Sequence, residues 1–466
     1  MRKPPSALAL AAVAALVCSC GTASAPGPGQ RGATAANLAD RAGFRVVTTG
    51  LGDPYEMIQG PDGHLWLTEK SGLRVTRVDP ATGTKTTALD LTRRAVRAQG
   101  GKDGVLGLAL HPDFGKKKGS DYVYLSYSSM DGSSMDGAKE AARIVRYTAK
   151  NGKLSGEYTV LSGLPAGDDH QAGRLRYGPD GKLYYSIGDQ GANYLAHYCD
   201  PNQAQNLPTA AQVKKKDWSA YPGKILRMNP DGSIPHDNPE LNGVRSHVYA
   251  YGMRNPNGMD FRGQELYTAE NGPLTDDEFN RVDKGGNYGW PNVAGYQDDK
   301  AYVYSDWAKA EGGCRNLTFT PNPGEAPAQV PTSRERDFTK DMKAPLSTYG
   351  TTVATGHDFG VTPVCTDANT SYMCWPTMAP GGLKAVGDAF LVTSLKNGTV
   401  YRLTKDGTSF TQLHRSVNRY RDVALSPDGK TLYIATDSGG LVHGPGGTPT
   451  GKLANPGAIL AVPYGK

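Results

Sequence analysis

Cysteine is scarce in this chain of 466 residues: there are six, and two of those fall in the first twenty positions. None stands in the C-x2-C spacing that tetrathiolate zinc sites favour, which argues against a structural zinc. Long hydrophobic runs are short of what a membrane span needs, because the apolar stretch from Ala7 to Val17 is too brief to cross a bilayer as a permanent helix. Sustained heptads are missing, which excludes a coiled coil. Charge of one sign is weak as well. The formal net charge is +6, and the basic run Lys214 to Lys216 has no aromatic residues interleaved, so it reads as a solvated loop and gives no nucleic-acid surface.

What the chain does have begins with a leader. Arg2 and Lys3 precede Ala7 to Val17, the charged-then-apolar order of an export signal. The stretch closes in Val17-Cys-Ser-Cys20-Gly21, which resembles a bacterial lipoprotein signal with Cys20 as the lipidated residue. A Val stands where Leu is usual, Cys18 is a second acceptor, and an ordinary secretory signal is the alternative. The expected organisation is a signal over 1–20, a flexible tether over 21–42 and one folded unit over 43–466. The expected location is outside the cytoplasmic membrane, lipid-anchored on its outer face or secreted.

Four cysteines remain beyond the leader, Cys199, Cys314, Cys365 and Cys374. In an exported chain an even number points to disulfides, and four allow three connectivities. Cys365 and Cys374 close a short loop and are the favoured local pair, which leaves Cys199 with Cys314.

The composition leans to short strands and turns: 59 Gly, 32 Pro and 25 Tyr. One phrase recurs, a Pro-Asp-Gly turn running into an apolar strand. It stands as PDGHLWLTE from Pro61, PDGKLYYSIGD from Pro179 and PDGKTLYIATD from Pro427, with a degenerate copy RGQELYTAE from Arg262. The strands end in polar residues, Glu69, Asp189, Glu270 and Asp437. Unequal repeats of a hairpin with no helical periodicity predict an all-β β-propeller, whose strand ends and loops converge on one face. A pair of β-sandwich domains is the runner-up. Loops 194–222 and 300–345 are long enough to be functional or interface loops.

Three constellations carry chemistry. His170 precedes the strand Leu183 to Ile187, and Asp189 follows it; a chain folded back through Pro179-Asp-Gly181 brings carboxylate to imidazole and makes a general base. Arg419 and Arg421 alternate with Tyr420, so on a strand they share one face and need an anion between them. With Arg254-Asn255 and Lys396 they form a cationic set. The phrases ENGPLTDDEFN from Glu270 and GGNYGWPNVAGYQDD from Gly285 mix carboxylates with Gly and Pro turns, which suits calcium bound by hard oxygens, though without EF-hand spacing.

These residues carry a resemblance. GVLGLALHPDF at 104, DDHQAGRL at 168, IGDQGANY at 187, PNQAQ at 201, RNPNG at 254, GPLTDDEFNRVDKGGNYGWPNVAGYQDD at 272, CWPT at 374, SLKNG at 394 and NRYRDV at 418 resemble the soluble quinoprotein glucose dehydrogenases and their aldose and sorbosone dehydrogenase relatives. The resemblance spans roughly 43 to 464. It implies a six-bladed propeller using pyrroloquinoline quinone (PQQ) and calcium to oxidise the anomeric hydroxyl of an aldose to the lactone, with electrons passing to an external acceptor. His170 would take the proton while hydride passes to the quinone C5, and Asp189 would orient it. Arg254 and Asn255 would meet the quinone side, and Lys396, Arg419, Arg421 and Thr377 the carboxylates and remaining oxygens. The carbonyls of Gly272 and Pro273 would hold the catalytic calcium. Further calcium, at a homodimer interface in the family, would fall on Glu278, Tyr288, Ala294, Tyr296, Asp298 and Glu335. Cys365 and Cys374 match the family's disulfide.

The chain also departs from the glucose enzymes. Lys102 stands where they place a cofactor-contacting Gln, and it is expected to bind the cofactor's carboxylates. Tyr194 replaces a substrate-side Gln, and Cys199 and Cys314 have no counterpart. These differences loosen the inference to glucose. The other classes are a calcium-dependent propeller hydrolase or lactonase, which has no use for Arg419, Arg421 and Lys396, and a non-catalytic binding propeller, in which His170 and Asp189 would be incidental.

Overall fold

The repeated Pro-Asp-Gly phrase folds the same way wherever it occurs. Gly63, Gly181 and Gly429 take φ values of 78°, 72° and 69°, a region open to glycine and costly for a side chain. The aspartate before each glycine accepts a bond from the amide after it: His64 N–H to Asp62 at 3.3 Å, Lys182 N–H to Asp180 at 3.1 Å and Lys430 N–H to Asp428 at 3.1 Å. Each turn therefore closes a hairpin by local chemistry alone.

In the computed structural model, which describes residues 43–465 apart from 99, 132–138, 322–324, 350–358, 360–364 and 366–369, these hairpins are the inner halves of four-stranded antiparallel sheets. Six such sheets follow one another. The first holds Pro54–Gln59, Leu65–Glu69, Arg74–Val78 and Lys85–Asp90, and the second Val105–Leu110, Tyr122–Asp131, Lys139–Lys150 and Lys153–Pro165. The third holds Ala172–Tyr177, Leu183–Ile187, Lys224–Met228 and Val248–Tyr251, and the fourth Gly258–Arg262, Glu265–Glu270, Asp277–Val282 and Ser347–Tyr349. The fifth is Pro380–Val386, Ala389–Ser394, Thr399–Thr404 and Phe410–Arg415. The sixth runs Tyr420–Leu425, Thr431–Thr436 and Ile459–Pro463, and takes its outer strand, Arg45–Thr48, from the start of the fold. Arg45 lies opposite Ala461, so the two ends of the chain share one sheet and the ring closes. The innermost strands touch in a closed cycle, giving a six-bladed β-propeller.

Between successive blades lie layers of buried apolar side chains, such as Trp66 and Phe114 between the first two and Tyr267, Phe279 and Phe390 between the fourth and fifth. Burying each large side chain stabilises the ring by about 1.5–3 kcal/mol. The axis itself is polar. Arg174, on the inner strand of the third blade, is fully buried and donates to Asn257 O (2.6 Å), Tyr55 O (2.8 Å), Gly381 O (2.5 Å) and Asp422 Oδ2 (3.1 Å). One guanidinium thus ties four other blades together. Arg176 joins Glu56 beside it.

The two long loops expected from the sequence are linked to each other by the Cys199–Cys314 disulfide, and Cys365 pairs with Cys374. Tyr198, Trp307 and Phe319 pack around the first bridge. The basic run at 214–216 corrects the sequence reading: Lys214 and Lys215 end a short helix, Ala210–Lys215, capped by Thr209 and Gln212. The capping box T-x-x-Q supplies the helix start that the lysines obscured. The leader and tether, 1–42, lie outside the described residues.

Candidate active site

The hairpin of the third blade brings its two ends together. His170 Nδ1 lies 2.7 Å from Asp189 Oδ1, and both side chains are buried. Asp189 is held from three further sides: Gly191 N–H at 3.0 Å, Asn202 Nδ2 at 3.0 Å and the Trp290 indole N–H at 2.7 Å. With Nδ1 engaged, the free edge of the imidazole is Nε2, the atom able to take a proton. His170 adopts φ +38°, a conformation costly for a side-chain-bearing residue that its surroundings must impose.

Next to it, Arg254 is buried and donates to Asn271 O at 3.0 Å. Its guanidinium lies over the rings of Tyr194 (5.6 Å) and Trp290 (5.3 Å). Its Nε and the Oδ1 of Asn255 are buried with no partner, two polar atoms that call for a ligand. The Tyr194 hydroxyl is in the same condition.

Arg419 and Arg421 do share a face, and the anion between them is Asp437. Arg421 grips it with two bonds of 2.9 Å and Arg419 adds one of 3.2 Å. The paired guanidinium groups hold the Asp437 carboxyl well below the usual carboxylate range, against the opposing effect of burial. Arg97 faces Asp53 at 3.7 Å. Lys70 joins this group buried. Burial first and Arg421 next push its ammonium down to about 8. Four cations, two of them buried and two half-buried, therefore meet two carboxylates, a local surplus of positive charge.

Lys396 is buried and donates to Tyr372 O (2.9 Å), Trp375 O (2.7 Å) and Thr377 Oγ1 (2.7 Å). Burial pushes it down to about 7, opposed by Asp277. Lys102 is exposed over 60% of its side chain, and the anion it faces is Asp169, at 2.5 Å.

The carboxylates of the 270–299 stretch gather in the fourth blade. Asp277 takes amides from Gly272 (2.9 Å), Met378 (2.6 Å) and Ala379 (2.8 Å), so it braces the Gly272-Pro273 turn against the fifth blade. Glu278 accepts from Gly295 N–H, and Glu335 from Ala294 and Asp299 N–H. Burial chiefly, and then the charges of Asp276, Asp277 and Asp298 on their neighbours, push Asp276 to about 6, Glu278 to about 7 and Glu335 to about 8. The Tyr288 hydroxyl donates to Arg281 O (2.6 Å) and Tyr296 to Leu346 O (3.3 Å); Asp298 pairs with Lys300 at 3.2 Å. Among the described residues no three His, Cys, Asp or Glu side chains converge as a metal cluster, so a cation here would have to draw on backbone oxygens.

Trp290, Asn202, Asp169 and Lys70 are the functional neighbours that sequence reasoning passed over. Trp290 and Asn202 lay inside phrases already singled out, and Lys70 directly follows the polar strand end Glu69.

A family model for glucose/sorbosone dehydrogenases matches residues 51–342. The quinoprotein glucose dehydrogenase B of Acinetobacter calcoaceticus is 41% identical over 442 residues, 90% of each chain. This chain belongs to the glucose/sorbosone dehydrogenase family. Among solved structures, the PQQ-bound form of aldose sugar dehydrogenase from Streptomyces coelicolor superposes with a TM-score of 0.59 at 24% identity, over 91% of this chain and 99% of that one. An oxidoreductase (glucose dehydrogenase) from Thermus thermophilus gives 0.59 at 25% identity, over 90% and 99%. Both likenesses accord with the six-bladed architecture. The family model's match ends at residue 342, within the fourth blade, while the Acinetobacter relative carries the likeness over 90% of this chain.

Proposed function

We propose that this chain is a PQQ- and calcium-dependent aldose dehydrogenase that oxidises the anomeric hydroxyl of a sugar to the lactone, with His170 as general base. The observation that carries the reading is the surplus of cations, buried Lys70 and Arg421 with half-buried Arg97 and Arg419, against Asp53 and Asp437. A tricarboxylate fits that surplus, and the partnerless Arg254 Nε and Asn255 Oδ1 fit a group bearing both acceptors and donors. Lys70, Arg419, Arg421, Lys396 and Thr377 would hold the carboxylates, and Arg254 and Asn255 the quinone side. PQQ, when bound, supplies a two-electron acceptor for the hydride.

The residues of the chain do the rest. Asp189, fixed by Trp290 and Asn202, accepts from His170 Nδ1–H and leaves Nε2 free to receive the hydroxyl proton. The imidazolium that forms is steadied by the same carboxylate, a contribution typically of ~10² to 10⁴ in rate. Arg254, clamped by two aromatic rings, presents a fixed positive charge where negative charge would build.

Calcium fits the fourth blade on the same kind of argument. Asp276, Glu278 and Glu335 are each pushed up there, by burial first and by neighbouring carboxylates after it, and a divalent ion would favour their charged forms. The carbonyls of Gly272 and Pro273 would hold the ion beside the cofactor, where it would act as a Lewis acid. Further calcium would draw on a carboxylate of Glu278, Asp298 or Glu335 together with the oxygens of Tyr288, Ala294 and Tyr296, in the manner of a dimer interface.

The test is reconstitution. Purified chain, given PQQ and calcium, should reduce an artificial electron-accepting dye with at least one member of an aldose panel, and a chelator should abolish the rate until calcium is restored. Full activity in metal-free protein without quinone overturns the reading. The proposal extends to export with a lipid on Cys20, for which mass spectrometry should find an acylated cysteine; an unmodified terminus downstream of Ala23 means simple secretion.

A further inference from the structure

The imidazole of His170 has a carboxylate at each nitrogen. Asp189 Oδ1 is 2.7 Å from Nδ1, and Asp169 Oδ1 is 3.8 Å from Nε2, the edge that must stay free. Asp169 is pinned in that position, since its Oδ1 also accepts the His170 backbone N–H at 2.9 Å. A ring base has to meet its substrate unprotonated, and a carboxylate at that edge is a negative charge whose own partner bears on it. Something has to offset the second carboxylate.

We infer that Lys102 is a positioning residue that keeps His170 available as a base by pairing with Asp169 across from Asp189. Its ammonium sits 2.5 Å from the same Asp169 Oδ1 that faces Nε2. The backbone fixes it there too: Lys102 N–H donates to Asp168 O at 2.8 Å, which ties the 100–104 loop to the segment carrying the imidazole. Against burial, the imidazole first and Lys102 next hold the Asp169 carboxyl far below the usual range. The other charged groups around the ring are one step removed. Asp168 is engaged by His197 at 2.8 Å, and Arg254 reaches the dyad through its carbonyl, which accepts the Asp189 amide at 2.8 Å. Lys102 is thus the cation paired with the carboxylate that faces the free edge of the ring.

The role rests on the reading that His170 is the base, yet its test does not depend on turnover. In the full chain without added cofactor, the His170 ring proton followed by NMR, assigned with His170→Gln, reports protonation directly. Lys102→Gln should move the protonation midpoint to higher pH by about half a unit, the size an exposed pair supports. Lys102→Arg should restore it, and Asp169→Asn should move it the other way. In the reconstituted enzyme the acid limb of kcat/KM should follow the NMR midpoint in the same variants. An unmoved midpoint in Lys102→Gln overturns the inference and leaves the dehydrogenase reading standing. A moved midpoint in a chain that oxidises no aldose upholds the coupling and sinks the dehydrogenase reading instead. PQQ affinity lowered tenfold in Lys102→Gln with the midpoint unmoved would make Lys102 a cofactor ligand.

Discussion

The Trp290 indole N–H donates to Asp189 Oδ2 at 2.7 Å, across 101 positions of sequence and from one blade to the next. Asp189 has its other oxygen on His170, so the tryptophan fixes the carboxylate that fixes the base. Trp290→Phe keeps a ring in place and removes the donor. It should lower kcat about tenfold, or ~1.4 kcal/mol of barrier, and leave PQQ affinity within threefold, as read by steady-state kinetics beside a cofactor titration. A variant with unchanged kcat would mean that Asn202 and Gly191 suffice to hold Asp189.

Lys70 sets a pH dependence for cofactor binding. Its value in the folded chain, about 8, lies below that of an ordinary lysine because of burial and Arg421. Below pH 8 the ammonium is present and ready for a carboxylate; as pH rises through 8 the empty site loses that charge. PQQ affinity should therefore begin to fall near pH 7, where Lys396 loses its charge, and fall more steeply above pH 8 as Lys70 follows, because binding then takes up protons. Fluorescence titration across that range checks it. Lys70→Met should bind more weakly at pH 7 and lose the steeper fall above pH 8.

Arg174 carries the axis. Replacing it with Met removes its bonds to the other blades and leaves Glu56 and Asp422 buried beside it without that partner. The loss should be about 3–5 kcal/mol of stability, visible as a lowered denaturation midpoint with the cofactor absent. A near-neutral result would show that Arg176 alone neutralises the channel.

The parts of this architecture that are local in sequence were legible there. The Pro-Asp-Gly turns close by an aspartate bonding to an amide two residues away, so three hairpins could be read off the chain, and one of them delivered His170 to Asp189. The closure of the ring could not be read. Arg45–Thr48 has no turn signature, and its partner Ile459–Pro463 is at the other end of the fold. The same holds for the site: Asp437 was visible as a polar strand end, and Arg419 with Arg421 as a pair needing an anion. That the one satisfies the other depends on a strand pairing rather than on spacing. Trp290 and Lys70 act through neighbouring blades, where sequence distance says nothing about proximity. Lys102 shows the limit most plainly, because its need for an anion was readable and its nearest anion, Asp169, was not.

The most direct test of the account is the His170→Ala variant loaded with PQQ and calcium. Its PQQ affinity should match the parent within a few-fold, since the cofactor's proposed ligands are untouched, while the rate of cofactor reduction on mixing with the best aldose, followed by stopped-flow absorbance, should fall by ~10² to 10⁴. Reduction within a few-fold of the parent would contradict the assignment of His170 as the base.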